Sequence, residues 1–140
     1  MTAKIIYEGE LRTVDTHIQS GTVIETDAPV DNQGKGARFS PTDLLATSLA
    51  TCIVTTMAIL GRNHNINIDG TACDMEKIMA SNPRRVAEIK VHFHFPKNKS
   101  YTDKEKSILE HIAKTCPVSL SLHPDCKQTL YFNWGGADNV

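Results

Sequence analysis

The chain has 140 residues, of which 40% are hydrophobic and 22% are charged, and its formal net charge is −1. This composition is typical of a soluble globular protein, and the length fits one domain over residues 1–140 that buries a core without disulfide bonds. The charge balance excludes the basic surface that binding to nucleic acid requires. The N-terminus has no signal-peptide core and no run of eighteen apolar residues occurs, so we expect a cytoplasmic protein without a membrane partner.

The first third of the chain has the pattern of short strands separated by turns. The segments "KIIYEGEL" and "GTVIETDAP", with "THIQS" between them, mix β-branched residues with alternating polar positions. This pattern predicts a small antiparallel meander. The segment "VDNQGKGARF" has two glycines and no periodicity, so it is predicted to be a loop.

A helix is predicted over "SPTDLLATSLATCIVTTMAILG". Ser40 is a suitable N-cap and Pro41 suits the first helical position, while Asp43 stands in capping-box register. At about 100° per residue, apolar side chains fall on two sides of this helix. The Cys52 side holds Leu45, Leu49 and Ile59, and the opposite side holds Ala50, Val54 and Met57. A helix that is apolar on both sides is expected to be buried on both sides, and a sheet on one side with a second subunit on the other would achieve this.

The second half of the chain predicts a hairpin, a helix and a last strand. "NINIDGTACDMEKIMA" and "RRVAEIKVHFHFP" form the hairpin, with "SNPRR" as its turn. Thr102 or Asp103 caps a helix over "TDKEKSILEHIAKTC", and Pro117 either ends that helix or begins a short second one. "CKQTLYFNW" is the last strand and "GGADNV" a frayed tail. The predicted order is βββ-α-ββ-α-β, an α+β fold with antiparallel sheets.

The cysteines are expected to be thiols, metal ligands or redox centres, because structural disulfides are rare in the cytoplasm. By itself, Cys52 would be interpreted as a small buried side chain. Three features favour a reactive thiol instead. Ser48 and Thr55 lie one helical turn on either side of it, Arg38 in the preceding loop is a cation that could lower its pKa, and Cys116 stands directly before a proline as a positioned partner.

The other cysteines and the histidines favour structural roles. Cys73 lies on a predicted strand and Cys126 opens another. Cys116, His123 and Cys126 make a C-x6-H-x2-C pattern, but this spacing matches no zinc motif well and supplies only three ligands.

His92 and His94 share one face of a strand, where a histidine pair can bind metal. Solvent-facing partners of Lys90 are the simpler interpretation. No metal or cofactor is therefore expected.

Two motifs in this order resemble the OsmC/Ohr superfamily of osmotically inducible and organic hydroperoxide resistance proteins. They are "SPTDLLATSLATC" and, further along, "CPVSLSL", and the resemblance covers nearly the whole chain in element order. The resemblance implies an OsmC-like fold with a long central helix and an intertwined homodimer, whose central helices are buried between two sheets.

The resemblance also implies a chemistry. Cys52 matches the peroxidatic cysteine, whose thiolate attacks an organic hydroperoxide, and Cys116 matches the resolving cysteine, which closes a disulfide with it. A dithiol such as dihydrolipoamide, or a small thiol, would restore the pair.

The chain departs from the family pattern at the start of the helix. Well-studied hydroperoxide reductases have N-P-E there, and the glutamate pairs with an arginine that holds the thiolate. Here Thr42 takes the glutamate position, and Asp43 is one residue late, a turn of about 100°. The arginine is Arg12 or Arg38, of which Arg12 matches the family only loosely. We expect Thr42, Asp43 and Ser48 to contribute to substrate binding.

Two other interpretations remain open. The chain could be an OsmC-like binding or redox-sensing protein with weak or no peroxidase activity, which the departure at Thr42 favours. It could also be a stable dimer whose buried cysteines are unreactive.

Overall fold

The computed structural model describes residues 1–136, so residues 137–140 of the predicted tail lie outside the described residues. The elements are β1 (Ala3–Gly9), β2 (Arg12–His17), β3 (Val23–Asp27), α1 (Pro41–Gly61), β4 (Ala72–Ala80), β5 (Arg85–His94), α2 (Asp103–Ala113), α3 (Pro117–Ser121) and β6 (Lys127–Asn133). The α+β class and the order βββ-α-ββ-α-β are confirmed, with α3 as an additional short helix.

The chain divides into two compact units, Met1–Leu45 and a second unit that starts at Ala46. Helix α1 runs across the boundary between them. A single domain over residues 1–140 stays a prediction.

The first unit contains the predicted antiparallel meander, in the order β1-β2-β3. Strands β1 and β2 are joined by a tight turn in which Glu10 and Leu11 have positive φ angles of 53° and 61°. Positive φ at both central residues matches the right-handed twist of the two strands. In the next pair of strands, Arg12 is the direct neighbour of Asp27.

The predicted cap of α1 is present. The Ser40 hydroxyl accepts a hydrogen bond from the backbone N–H of Asp43 at 3.0 Å, and the Asp43 carboxylate accepts one from the Ser40 N–H at 2.9 Å. These reciprocal bonds satisfy two backbone donors at the start of the helix.

Helix α1 is buried along one side within this chain. Its buried residues recur at helical spacing: Ala46, Leu49, Ala50, Ile53, Met57 and Gly61. Leu49, which was predicted on the Cys52 side, belongs to this buried stripe. Leu45 and Ile59 remain 41% and 57% exposed. Burial on both sides is therefore not seen in the single chain, because its own core covers only one face.

The second unit contains a mixed sheet in the order β4-β5-β6. Strands β4 and β5 form the predicted hairpin, but β6 runs parallel to β5. The expectation of antiparallel sheets is therefore wrong for β6. The physical reason is the connection, because α2 and α3 carry the chain back before β6 begins, and a crossover of that length allows parallel pairing.

The core of the second unit joins the sheet to the helices. Its largest fully buried side chains include Phe93, Ile89 and Val91 of β5, together with Leu109 of α2 and Ile53 of α1. The fully buried residues of β5 alternate along the strand, as a strand with one buried face requires. By length and composition alone, Pro41–His64 would be long and apolar enough to cross a membrane. The buried stripe of α1 is that of a core helix, so no membrane span is indicated.

Helix α2 begins and ends as local signals require. Thr102 is the N-cap and forms a capping box with Glu105. The helix ends at Ala113, and Pro117 begins α3, which settles the alternative left open by the sequence. Cys116 therefore lies between two helices and is the N-cap of the second.

Candidate active site

The structure brings Cys52 and Cys116 together within the second unit. Cys52 lies in the middle of α1 at the edge of its buried stripe and is partly exposed, whereas Cys116 is fully buried. The Cys52 side chain is within hydrogen-bonding reach of the Cys116 thiol, and both cysteines are free thiols. An accessible thiol thus stands beside an inaccessible one.

Different neighbours of Cys116 shift the pKa of its thiol in opposite directions. Burial raises the pKa of Cys116, and the neighbouring Cys52 also raises it. The backbone N–H of Ser119 donates to the Cys116 Sγ at 3.2 Å, which lowers that pKa because it stabilises the thiolate. The net direction is upward, so Cys116 rests as a buried thiol.

An open cavity of about 470 Å³ lies beside Cys52. It is formed by one side of α1 and the start of α3, and its lining residues are Ser48, Thr51, Cys52, Thr55, Thr56, Ile59, Pro117 and Val118. Ser48 therefore lines the cavity, as does Thr55. Both side chains carry hydroxyl groups, which can hydrogen-bond a thiolate or a peroxide oxygen.

Thr42 and Asp43 lie in the first unit, at the start of α1. The Thr42 hydroxyl is 3.2 Å from the Ser40 hydroxyl, and the Asp43 carboxylate belongs to the helix cap. Their contribution to substrate binding stays a prediction.

The two candidate arginines, Arg12 and Arg38, also lie in the first unit, and each pairs with a carboxylate of β3. Arg12 donates two hydrogen bonds of 2.8 Å to Asp27, and Arg38 donates one of 2.7 Å to Glu25. The Asp27 side chain is only 1% exposed and also accepts from the backbone N–H of Ala37. The hydrogen bonds from Arg12 are the main reason that the pKa of Asp27 is lowered.

Asp27 is a buried partner of Arg12 that the sequence reasoning missed. The signal that could have found it is the strand register, which places Asp27 opposite Arg12. The carboxylate partner of Arg12 thus comes from β3. The start of α1 does not supply a glutamate for it, because Thr42 takes that position in this chain. Whether either arginine serves Cys52 stays a prediction.

The remaining cysteines are Cys73 and Cys126. Cys73 lies half-buried on β4 and Cys126 is buried just before β6. Burial raises the pKa of both thiols, as expected for structural cysteines.

The histidines have local partners. The His94 Nε2 lies 2.9 Å from the Asp74 carboxylate, and His92 stacks on Tyr131 with ring centroids 4.4 Å apart. His123 lies 3.7 Å from Asp125. Over residues 1–136, no group of three or more histidine, cysteine or acidic side chains is arranged to hold a metal ion.

Comparison with known proteins gives a family match and similar solved structures. The family model described as OsmC-like protein matches residues 34–130. A crystal structure from Psychrobacter arcticus 273-4, of a proposed osmotic stress induced and detoxification response protein, is 49% identical. The match covers 94% of this chain and 95% of that one, with a TM-score of 0.89. The chain belongs to the OsmC-like family.

More distant structures share the OsmC-like fold. An organic hydroperoxide resistance protein OsmC from Legionella pneumophila is 16% identical over 95% of this chain and 97% of its own, with a TM-score of 0.75. A proposed organic hydroperoxide resistance protein from Vibrio cholerae O1 biovar eltor str. N16961, with captopril in one active site, is 13% identical over 95% and 92%, with a TM-score of 0.74. At these identities the likeness shows the fold alone. No curated protein matches the chain.

Proposed function

We propose that this protein is a thiol-dependent peroxidase that reduces organic hydroperoxides through Cys52 and Cys116. The observation that carries the proposal is the contact between the two thiols, one partly exposed beside a cavity and the other buried behind it. Membership in the OsmC-like family supports it, as do the structural neighbours named for organic hydroperoxide resistance.

In the first step, Cys52 acts as the nucleophile. Its thiolate attacks the distal oxygen of the hydroperoxide, the O–O bond breaks, and the alkoxide leaves and takes up a proton to become the alcohol. Cys52 is oxidised to a sulfenic acid. The partial exposure of Cys52 gives the peroxide access, and the hydroxyls of Ser48 and Thr55 lie on the same side of α1.

In the second step, Cys116 resolves the sulfenic acid. The Cys116 sulfur attacks the Cys52 sulfur, an S–S bond forms, the S–O bond breaks, and the hydroxide leaves with the thiol proton as water. A buried resolving thiol suits this role, because peroxide in solution cannot reach it and the sulfenic acid is its immediate neighbour.

In the third step, an external thiol reductant restores both cysteines. A dithiol of the dihydrolipoamide type, or two molecules of a small thiol, would attack the disulfide and leave as its own disulfide. Cys52 is the accessible sulfur of the pair, so we expect the reductant to attack there.

Turnover with cumene hydroperoxide and dihydrolipoamide tests the proposal. We expect Cys52→Ser to abolish turnover and Cys73→Ser, a half-buried cysteine on β4, to keep it. Turnover that survives the loss of Cys52 would contradict the peroxidase assignment.

A second candidate function is redox sensing or ligand binding by the same cavity. Thr42 favours it, because position 42 carries no carboxylate, whereas the well-studied reductases have a glutamate there. Redox sensing predicts disulfide formation on stoichiometric oxidation without sustained turnover, whereas ligand binding predicts thiols that oxidise slowly or not at all.

A further inference from the structure

We propose that Ser119 and Gln128 form a clamp that positions Cys116 for its attack on oxidised Cys52. The inference rests on the proposed function, since it concerns the resolving step. Neither side chain reacts, so both are positioning residues. We call this pair the Ser119–Gln128 clamp.

The clamp consists of two hydrogen bonds between the side-chain amide of Gln128 and Ser119. The Ser119 hydroxyl donates to the Gln128 Oε1 at 2.6 Å, and the Gln128 Nε2 donates to the Ser119 backbone carbonyl at 3.0 Å. A side-chain amide offers both an acceptor and a donor, and here both engage Ser119. Two bonds fix the orientation of Ser119 as well as its distance from β6.

Ser119 in turn fixes the position of the Cys116 sulfur through its backbone. Its backbone N–H donates to the Cys116 Sγ at 3.2 Å, and Cys116 is the N-cap of α3. Helix α3 has only five residues, and a helix of that length has little stability of its own. The geometry of its first turn therefore depends on contacts with the rest of the unit.

Strand β6 is a firm support for the clamp. Gln128 pairs with Ile89 in the parallel ladder, and Ile89 is fully buried. Successive side chains on a strand point to opposite faces, so Thr129, the next residue, points away from α3. The Thr129 hydroxyl instead donates to Glu88 at 2.6 Å. Thr129 is therefore a matched control, with a hydrogen bond of the same length on the other face.

The clamp acts on the second step and not on the first. Ser119 and Gln128 line a separate cavity with Glu110, Lys114, Leu130 and Phe132, and neither lines the cavity beside Cys52. Without the clamp, the first turn of α3 loses its anchor and the Ser119 N–H no longer fixes the Cys116 sulfur. Formation of the sulfenic acid should then be unchanged, while its conversion to the disulfide slows.

The test separates the two steps in Gln128→Met, which keeps the side-chain size but removes both hydrogen bonds. Rapid quenching, alkylation and mass spectrometry follow the sulfenic acid and the disulfide after addition of cumene hydroperoxide. We expect disulfide formation to slow about fivefold to tenfold, the loss expected for one or two hydrogen bonds, with unchanged oxidation of Cys52. The pH profile of the slow step should also move to higher pH, because the thiolate of Cys116 loses a donor. Thr129→Val should match the wild-type protein in both steps.

Ser119 provides an independent test. Ser119→Ala removes the hydroxyl and should slow disulfide formation, whereas Ser119→Thr retains a hydroxyl and should restore most of the rate. The double variant Ser119→Ala/Gln128→Met should be no slower than the slower single variant, because the two side chains act through one another. If Gln128→Met does not fold, the comparison of Ser119→Ala with Ser119→Thr tests the clamp.

Diamide distinguishes failure of the clamp from failure of the proposed function. Diamide adds to the Cys52 thiolate, and attack by Cys116 then closes the disulfide and releases the reduced hydrazine, so no peroxide is needed. Wild-type protein that closes the disulfide with diamide but not with cumene hydroperoxide would contradict the proposed function and leave the clamp testable. Disulfide formation at the wild-type rate in both Gln128→Met and Ser119→Ala, with either oxidant, would overturn the clamp.

Discussion

At the scale of single residues, the same side chain has different roles in different surroundings. Cys52 is partly exposed beside a cavity. Cys116 is buried, and its sulfur accepts a hydrogen bond from a backbone N–H. The sequence motifs predicted that these two cysteines act as a pair. The carboxylate of Asp27 was not predicted, because its importance depends on the register of two strands and on Arg12 opposite it.

The fate of Cys52 should change when its partner is removed. In Cys116→Ser, we expect the sulfenic acid of Cys52 to persist and, with excess cumene hydroperoxide, to gain a second oxygen as sulfinic acid, because no thiol remains to intercept it. Mass spectrometry of the intact protein measures both species. Cys126→Ala, which removes a different buried thiol, should still form the disulfide. Wild-type turnover in Cys116→Ser would show that Cys116 resolves nothing.

The two candidate arginines should differ in importance. Arg12 is held by two hydrogen bonds to a buried carboxylate, whereas the Arg38 side chain is 49% exposed. A guanidinium fixed in this way is preorganised, and lysine cannot reproduce its fork. We therefore expect Arg12→Lys to slow the oxidation of Cys52 by about tenfold or more and Arg38→Lys to have little effect. The opposite ranking in stopped-flow measurements would assign the role to Arg38.

Asp27 should make the free energy of unfolding depend on pH. Hydrogen bonds from Arg12 lower the pKa of Asp27, so its stabilising contribution is present at neutral pH and is lost as the pH falls through the acid range. Asp27→Asn should be less stable than wild type at pH 7, and the difference should shrink below about pH 4. Urea unfolding at several pH values measures this. Asp74→Asn, at an 82% exposed position, is the control for the loss of one surface carboxylate.

At the scale of elements, features formed by neighbouring residues were predicted well. The direction in which β6 pairs with β5 was not. The cap at Ser40 with Asp43 was identified from the sequence, and the cap of α2 was narrowed to Thr102 or Asp103, because a cap is formed by residues within one turn. The parallel pairing of β6 was missed, because it is determined by where α2 and α3 return the chain and not by the pattern of β6 itself.

The cap of α1 separates a structural role of Asp43 from a role in substrate binding. Asp43→Ala should cost about 1 kcal/mol of unfolding free energy, because the Ser40 N–H loses its acceptor. Glu105→Ala removes the equivalent bond at α2, in which the Thr102 N–H donates to the Glu105 carboxylate, and should cost a similar amount. Steady-state kinetics then distinguishes the roles, since a raised KM in Asp43→Ala alone would support contact with substrate. Unchanged KM in both variants would restrict Asp43 to the cap.

At the scale of the whole molecule, the uncovered side of α1 supports the expected homodimer. Leu45 and Ile59 lie on that side and are 41% and 57% exposed, so the helix presents apolar surface that a second subunit would cover. Analytical ultracentrifugation should give a dimer at micromolar concentration, and Ile59→Lys should weaken it by placing a charge on an apolar face. A monomer over the whole concentration range would contradict the dimer.

The central claim is that Cys52 and Cys116 form one redox pair, and mass spectrometry after a single oxidation tests it most directly. Reduced protein is treated with one equivalent of cumene hydroperoxide, unfolded, alkylated and digested. We predict that the Cys52 and Cys116 peptides are joined by a disulfide, while Cys73 and Cys126 are alkylated. Full alkylation of Cys52 after the same treatment would contradict the account.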